Sequence, residues 1–167
     1  MDLNKSKKIV FITGATSGIG EAAAKILSND YNLILCGRRE ERLIEIKNKL
    51  SKITEVKTLN FDVRAKEEVI TKIKSLPQNW RKINILINNA GNAHGLDFIE
   101  DGDVDDWDKM IDINIKGLLY VTKEVLRFML SQNSGHVINI GSIAGKEVYP
   151  KGNVYCASKF AVDALSE

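Results

Sequence analysis

The stretch Lys8-Ile-Val-Phe-Ile-Thr-Gly-Ala-Thr-Ser-Gly-Ile-Gly20 decides the fold, because it joins a short apolar segment to a glycine-rich turn. The apolar part shows no polar alternation, which predicts a strand buried on both faces. Glycines at 14, 18 and 20 predict a tight turn that leads into a helix from about Ile19 to Ser28. The free N–H groups at the start of such a helix favour a bound phosphate. A P-loop is excluded, since no Lys-Ser or Lys-Thr pair follows the last glycine.

Strand-like and helix-like segments alternate along the rest of the chain. Apolar runs predict further strands at 32–36, 55–61, 83–88 and 136–140, and helical periodicity predicts helices at 40–50, 65–75, 104–130 and from 152 onward. This alternation is typical of βαβ units with right-handed crossovers. We therefore predict an α/β fold, a doubly wound parallel sheet formed as one domain over residues 1–167. The last helix has no capping signal before residue 167, so we expect the chain to be truncated within it.

Composition narrows the functional classes. The 167 residues are 44% hydrophobic, and 24 basic residues against 22 acidic ones give a net charge of +2. A charge so close to zero offers no electrostatic basis for a nucleic-acid partner. The apolar run 9–12 is too short for a signal peptide or a membrane span. Two cysteines are too few for a disulfide scaffold, which predicts a cytoplasmic protein. The two histidines, His94 and His136, lack ligand-like spacing, so no metal site is expected.

A pair of arginines follows the second predicted strand, in Cys36-Gly-Arg-Arg39. In dinucleotide-binding folds, an acidic residue at this place accepts a hydrogen bond from the ribose 2′-hydroxyl of NAD. Two guanidinium groups instead suit the 2′-phosphate of NADP, to which they donate charge-assisted hydrogen bonds. We therefore predict NADP rather than NAD as the cofactor. The alternative is a solvated arginine pair next to Glu40 and Glu41.

Five motifs occur in a fixed order over nearly the whole chain. They are Thr13-Gly14-x3-Gly18-x-Gly20, Asn88-Asn-Ala-Gly91, Asn114 inside the long helix, Ser142 after the fifth strand, and Tyr155-Cys-Ala-Ser-Lys159. Together they resemble the short-chain dehydrogenase/reductase family. The resemblance implies a Rossmann-type fold and hydride transfer between a nicotinamide cofactor and an alcohol or carbonyl. It also implies a homodimer or homotetramer when the chain is complete.

The resemblance implies a role for each catalytic position. Tyr155 is the general acid/base and contacts the substrate. Lys159 lies four residues on, where its charge favours the phenolate, and it also holds the nicotinamide ribose. Ser142 hydrogen-bonds the substrate oxygen, and Asn114 anchors a water on the proton path. Taken singly, each position has a plainer explanation: a surface Tyr/Lys pair, a turn or helix cap at Ser142, and a structural buried amide at Asn114.

The same resemblance implies a set of cofactor contacts. These are Gly14, Ala15, Thr16, Ser17, Gly18, Ile19, Arg38, Arg39, Asp62, Val63, Asn89, Tyr155 and Lys159. Two of them, Asp62 and Val63, follow the third predicted strand and are expected to meet the adenine.

Four segments resemble one group within the family, the NADP-dependent 3-hydroxy acid (serine or L-allo-threonine) dehydrogenases. They are Ser75-Leu-Pro-Gln-Asn-Trp80, Asp106-Trp-Asp-Lys-Met110, Asn114-Ile-Lys-Gly-Leu118 and Gly152-Asn-Val-Tyr155. The resemblance implies a small substrate such as serine, allo-threonine or 3-hydroxyisobutyrate, or malonic semialdehyde in reverse. The alternatives are a 3-oxoacyl-type or broad carbonyl reductase and a non-catalytic NADP-binding protein. Family members continue with two strands, a proline-glycine loop and a substrate lid, so we expect little turnover from residues 1–167 alone.

Overall fold

Five parallel strands form one sheet in the order β3-β2-β1-β4-β5 in the computed structural model, which describes residues 7–167. The strands are β1 (Ile9–Ile12), β2 (Asn32–Gly37), β3 (Val56–Asn60), β4 (Ile83–Asn88) and β5 (His136–Asn139). All four neighbouring pairs are parallel, and Phe11 at the centre lies opposite Ile34 on β2 and Leu86 on β4. The doubly wound parallel sheet is confirmed, with strand ends within one residue or so of those expected.

Six α-helices accompany the described strands. They are α1 (Gly18–Leu27), α2 (Glu40–Leu50), α3 (Lys66–Lys74), α4 (Val104–Ile111), α5 (Leu118–Ser131) and α6 (Asn153–Ala164). No helix within residues 7–167 combines the length and the apolar character that crossing a bilayer requires.

Helices cover the sheet on both sides, which explains why the first strand carries no polar position. Phe11 points into a core completed by Ile73 of α3 and Val125 of α5. Val10 points to the opposite face, where Leu43 of α2 belongs to a second core. Successive strand residues face opposite sides of a sheet, so a strand covered twice must be apolar at every position.

The long helix expected at 104–130 is corrected by the structure. A π-helical segment, Asp112–Gly117, separates α4 from α5 and carries Asn114. Such segments are rare and frequently lie at functional sites. The apolar stripe of this helical region faces the sheet, because Val121, Val125 and Met129 are buried in the first core. From helical periodicity alone, this apolar stripe could have faced the sheet, a partner chain, or both.

Candidate active site

A cleft of about 860 Å³ opens at the carboxyl ends of the strands. It lies where the chain order of the sheet reverses between β1 and β4, the place where open α/β sheets bind ligands. Its volume falls within the range of about 300–1,000 Å³ that small-molecule sites occupy. The segments that follow all five strands line it, together with the first turns of α6.

The glycine-rich turn meets the cleft with two glycines in the left-handed region, Gly14 at φ +65° and Gly18 at φ +54°. A Cβ on Gly14 would lie 2.9 Å from the Cα of Ala90, so the turn packs directly on the loop after β4. A Cβ on Gly18 would meet nothing within 4 Å. The backbone at the start of α1 is therefore open to a ligand, as a phosphate cradle requires.

Two polar side chains join this turn to the loop after β4. The Asn89 Nδ2 donates to the carbonyl oxygens of Thr13 at 3.0 Å and Gly14 at 3.1 Å. In return, the Thr13 Oγ1 accepts from the backbone N–H groups of Asn89 and Ala90, each at 3.0 Å. Asn89 thus shapes the cleft as well as lining it. Thr13 opens the glycine-rich motif, but sequence reasoning gave it no role in the site, because a threonine at a strand end gives no signal of a partner 76 residues away.

The structure brings every predicted cofactor residue to the cleft except Ala15. The Ala15 methyl is fully buried in the second core, and its N–H donates to the carbonyl oxygen of Cys36 at 3.0 Å. The residues that do line the cleft are Gly14, Thr16, Ser17, Gly18, Ile19, Arg38, Arg39, Asp62, Val63, Asn89, Tyr155 and Lys159. The glycine-rich motif gave no sign that the Ala15 side chain points into the core.

The arginine pair stands at the edge of the cleft. The Arg39 Nη2 donates to Thr16 Oγ1 at 2.9 Å and to Ser17 Oγ at 2.8 Å, which places one guanidinium beside the glycine turn. Arg38 is exposed, and its Nη1 lies 3.5 Å from the Asp62 Oδ2. Two positive charges therefore border the same end of the cleft.

Asp62 is held by Arg64, a residue that sequence reasoning did not single out. The Asp62 Oδ1 accepts from the Arg64 backbone N–H at 3.0 Å, and its Oδ2 accepts from Nη2 at 2.7 Å. Burial by itself would raise the pKa of Asp62, but hydrogen bonds and charge from Arg64, with the charge of Arg38, lower it overall. The group is a carboxylate at neutral pH.

The first turns of α6 bring Tyr155 and Lys159 to the other end of the cleft. Lys159 is buried, and its Nζ donates to the carbonyl oxygen of Ile140 at 2.9 Å. The same Nζ lies 6.0 Å from the centre of the Tyr155 ring. Burial lowers the pKa of Lys159 below the ordinary lysine value. The helical spacing of four thus brings the Lys159 Nζ near the Tyr155 ring.

Asn114 lies behind the cleft rather than in its wall. Its Oδ1 accepts from the N–H of Asn92 at 2.9 Å, while its Nδ2 donates to the Asn92 carbonyl at 2.9 Å and to Ser158 Oγ at 3.0 Å. A Cβ on Gly91 would lie 3.1 Å from the Asn114 Oδ1 and 3.8 Å from the Lys159 Nζ. The two polar atoms therefore face one small space over Gly91.

Ser142 follows β5 and is exposed, outside the cleft wall. Its Oγ accepts from the N–H of Ala144 at 3.1 Å and so caps the short helical turn Ile143–Gly145. The cap uses the hydroxyl as an acceptor, so its proton stays available to a further acceptor.

Metal binding and thiol chemistry have less support within residues 7–167. No group there of three or more His, Cys, Asp or Glu side chains could hold a metal ion. Cys36 and Cys156 are free and buried. Burial raises the pKa of the Cys36 thiol far above its usual range, so it stays protonated and unreactive.

A parallel sheet in this order, with a glycine turn at its switch point, defines an α/β protein of the Rossmann class. Within that class, comparison with protein families gives a narrower assignment of the chain. Residues 8–167 match the family model described as short chain dehydrogenase, and the chain belongs to that family.

Individual relatives are similar over most of this chain. The NADP-dependent 3-hydroxy acid dehydrogenase YdfG of Salmonella typhi is 46% identical over 159 residues, which are 95% of this chain and 63% of that protein. Sulfoacetaldehyde reductase 2 of Chromohalobacter salexigens is 46% identical over 160 residues, 95% of this chain and 64% of that one. A solved closed form of serine dehydrogenase complexed with NADP+ superposes with a TM-score of 0.89 at 44% identity, over 95% of this chain and 63% of that one. The chain thus spans a little under two thirds of the length of these relatives.

Proposed function

We propose that this chain is the cofactor-binding and catalytic part of an NADP-dependent oxidoreductase. It would transfer a hydride between the nicotinamide cofactor and the alcohol or carbonyl group of a small acid, most specifically a 3-hydroxy acid. The observation that carries the proposal is that one cleft joins a phosphate cradle and two arginines to Tyr155 and Lys159.

The cofactor end of the cleft fits NADP. The glycine turn and the start of α1 would hold the pyrophosphate, since Gly18 leaves the backbone open there. Arg38 and Arg39 would hold the 2′-phosphate, and Asp62 with Val63 would border the adenine. When bound, NADP supplies the nicotinamide ring that accepts or returns the hydride.

The proton is handled by the residues at the other end. Tyr155 takes the proton of the substrate hydroxyl during oxidation and returns it during reduction. The Lys159 charge favours the phenolate form, and the same residue would hold the nicotinamide ribose. Ser142 donates its hydroxyl hydrogen to the substrate oxygen. A water over Gly91, between Asn114 and Lys159, would connect the lysine with a proton path.

The substrate class rests on the relatives. One is named for 3-hydroxy acids and another for sulfoacetaldehyde, and both names describe small molecules with an acidic group near the reacting carbon. Serine, allo-threonine and 3-hydroxyisobutyrate fit this description, as does malonic semialdehyde in the reverse direction.

Nucleotide preference tests the cofactor part of the proposal. Replacing both Arg38 and Arg39 with Ala should raise the Kd for NADP by about 100-fold, because two charge-assisted hydrogen-bonding groups are lost. The Kd for NAD should change little. Calorimetric titration of both nucleotides measures this, with Arg42→Ala as the control, since Arg42 pairs with Glu21 and Glu45 outside the cleft wall. Equal losses for the two nucleotides would contradict the assignment.

Turnover tests the substrate. A chimera of residues 1–167 with the remaining third of the Salmonella typhi relative should reduce NADP with serine, allo-threonine or 3-hydroxyisobutyrate, and residues 1–167 alone should stay near background. Faster reduction of a carrier-linked 3-oxoacyl compound than of malonic semialdehyde would contradict the substrate class. Tight NADP binding without turnover of either class of substrate would indicate a binding protein.

The oligomeric state is a separate prediction. Light scattering on the same chimera should give a dimer or tetramer. The cytoplasmic location stays a prediction from composition.

A further inference from the structure

Asp62 creates an electrostatic problem at the end of the cleft proposed for NADP. Among the described residues that line the cleft, it carries the one carboxylate. Its Oδ2 lies 3.5 Å from the Nη1 of Arg38, and its side chain is 22% exposed. A carboxylate near a 2′-phosphate repels it, and it also competes with the phosphate for Arg38.

Arg64 counters both effects. Its backbone N–H and Nε bind the Asp62 Oδ1 at 3.0 and 3.1 Å, while Nε and Nη2 bind the Oδ2 at 3.1 and 2.7 Å. An ionised carboxylate has about four acceptor positions, so Arg64 occupies most of them. Arg38 is left with one contact at the outer limit of a hydrogen bond, and its side chain is 58% exposed.

The Arg64 guanidinium is itself well supported. Its pKa is raised chiefly by the hydrogen bond to Asp62; burial opposes this, and the charges of Asp62 and Asp112 raise the pKa further. It remains a full positive charge, fixed in a fork geometry that matches the carboxylate.

We propose that Arg64 is a positioning residue that determines the preference for NADP over NAD. By pairing with Asp62 it cancels the charge of that carboxylate and leaves Arg38 free to bind the 2′-phosphate. This inference rests on the proposed function, since it needs NADP in the cleft. It concerns only the phosphate that distinguishes the two nucleotides.

The test is the ratio of the Kd for NADP to the Kd for NAD, measured by calorimetric titration of the 167-residue chain. The two probes differ only in the 2′-phosphate, so changes at the adenine or in the folded fraction cancel in the ratio. Arg64→Gln should raise the ratio about tenfold, as expected for a carboxylate left uncompensated near a phosphate. Asp62→Asn alone leaves the Arg64 charge unpaired and removes the competitor for Arg38, so the ratio should not rise and should lie at or below its wild-type value.

The double variant Asp62→Asn/Arg64→Gln separates this role from a structural one. It lacks the carboxylate, so the ratio should return toward wild type even though the ion pair is gone. If the double variant keeps the raised ratio, or if Arg64→Gln weakens both nucleotides equally, Arg64 only shapes the turn and the inference is overturned. A wild-type chain that shows no preference for NADP would instead overturn the proposed function itself, and this inference with it.

Discussion

Replacing Tyr155 with Phe is expected to lower turnover by about 10³-fold and to leave the Kd for NADP nearly unchanged. Phenylalanine keeps the ring beside Lys159 and removes only the hydroxyl that exchanges a proton with the substrate. The nucleotide contacts at the other end of the cleft are not touched by the change. The loss should therefore appear in kcat, since the interaction that is removed acts in the transition state.

The measurement is steady-state kinetics of the chimera described above, together with calorimetric titration of NADP. Tyr31→Phe is the matched control, because Tyr31 immediately precedes β2 and so lies at the amino ends of the parallel strands, whereas the cleft opens at their carboxyl ends. It should keep wild-type rates. A Tyr155→Phe variant that retains more than about a tenth of the wild-type rate would show that another group moves the proton.

The sheet was predictable because short stretches of sequence determine its strands and helices. An apolar strand with no polar alternation needs cover on both faces, and the alternation of elements supplies helices to provide it. The glycine-rich turn was predictable for the same reason, since its glycines are read directly from positions 14, 18 and 20. The two arginines directly follow β2, so predicting that strand also placed them at its carboxyl end, where the cleft opens.

What the sequence did not show depends on pairs that are distant along the chain or on side-chain direction. The π-helical segment accompanies the bonds between Asn114 and Asn92, 22 residues apart, and no helical periodicity contains such a contact. The burial of Ala15 follows from how the turn folds its methyl into the core. The fork from Arg64 to Asp62 is short-range, but only the structure shows which carboxylate the guanidinium meets.

Gly14→Ala and Gly18→Ala form a pair that separates folding from nucleotide binding at the glycine-rich turn. Both residues have positive φ, so each alanine costs about 1–2 kcal/mol of backbone strain. Gly14→Ala should lower the free energy of unfolding by about 1–3 kcal/mol more, because its Cβ would press on the backbone of Ala90. Gly18→Ala carries no such clash, and the shared strain cancels when the two variants are compared.

For the Kd for NADP, Gly18→Ala should have the larger effect of the two variants. The methyl of Gly18→Ala enters open space in the cleft at the start of α1, where the pyrophosphate is proposed to lie, so the Kd for NADP should rise about tenfold or more. Denaturant unfolding and calorimetric titration of both variants measure the two effects. Equal unfolding free energies would show that the loop after β4 yields to the added methyl. Unchanged NADP binding by Gly18→Ala would place the pyrophosphate elsewhere, because a ligand held by the backbone of this turn cannot share that space with a side chain.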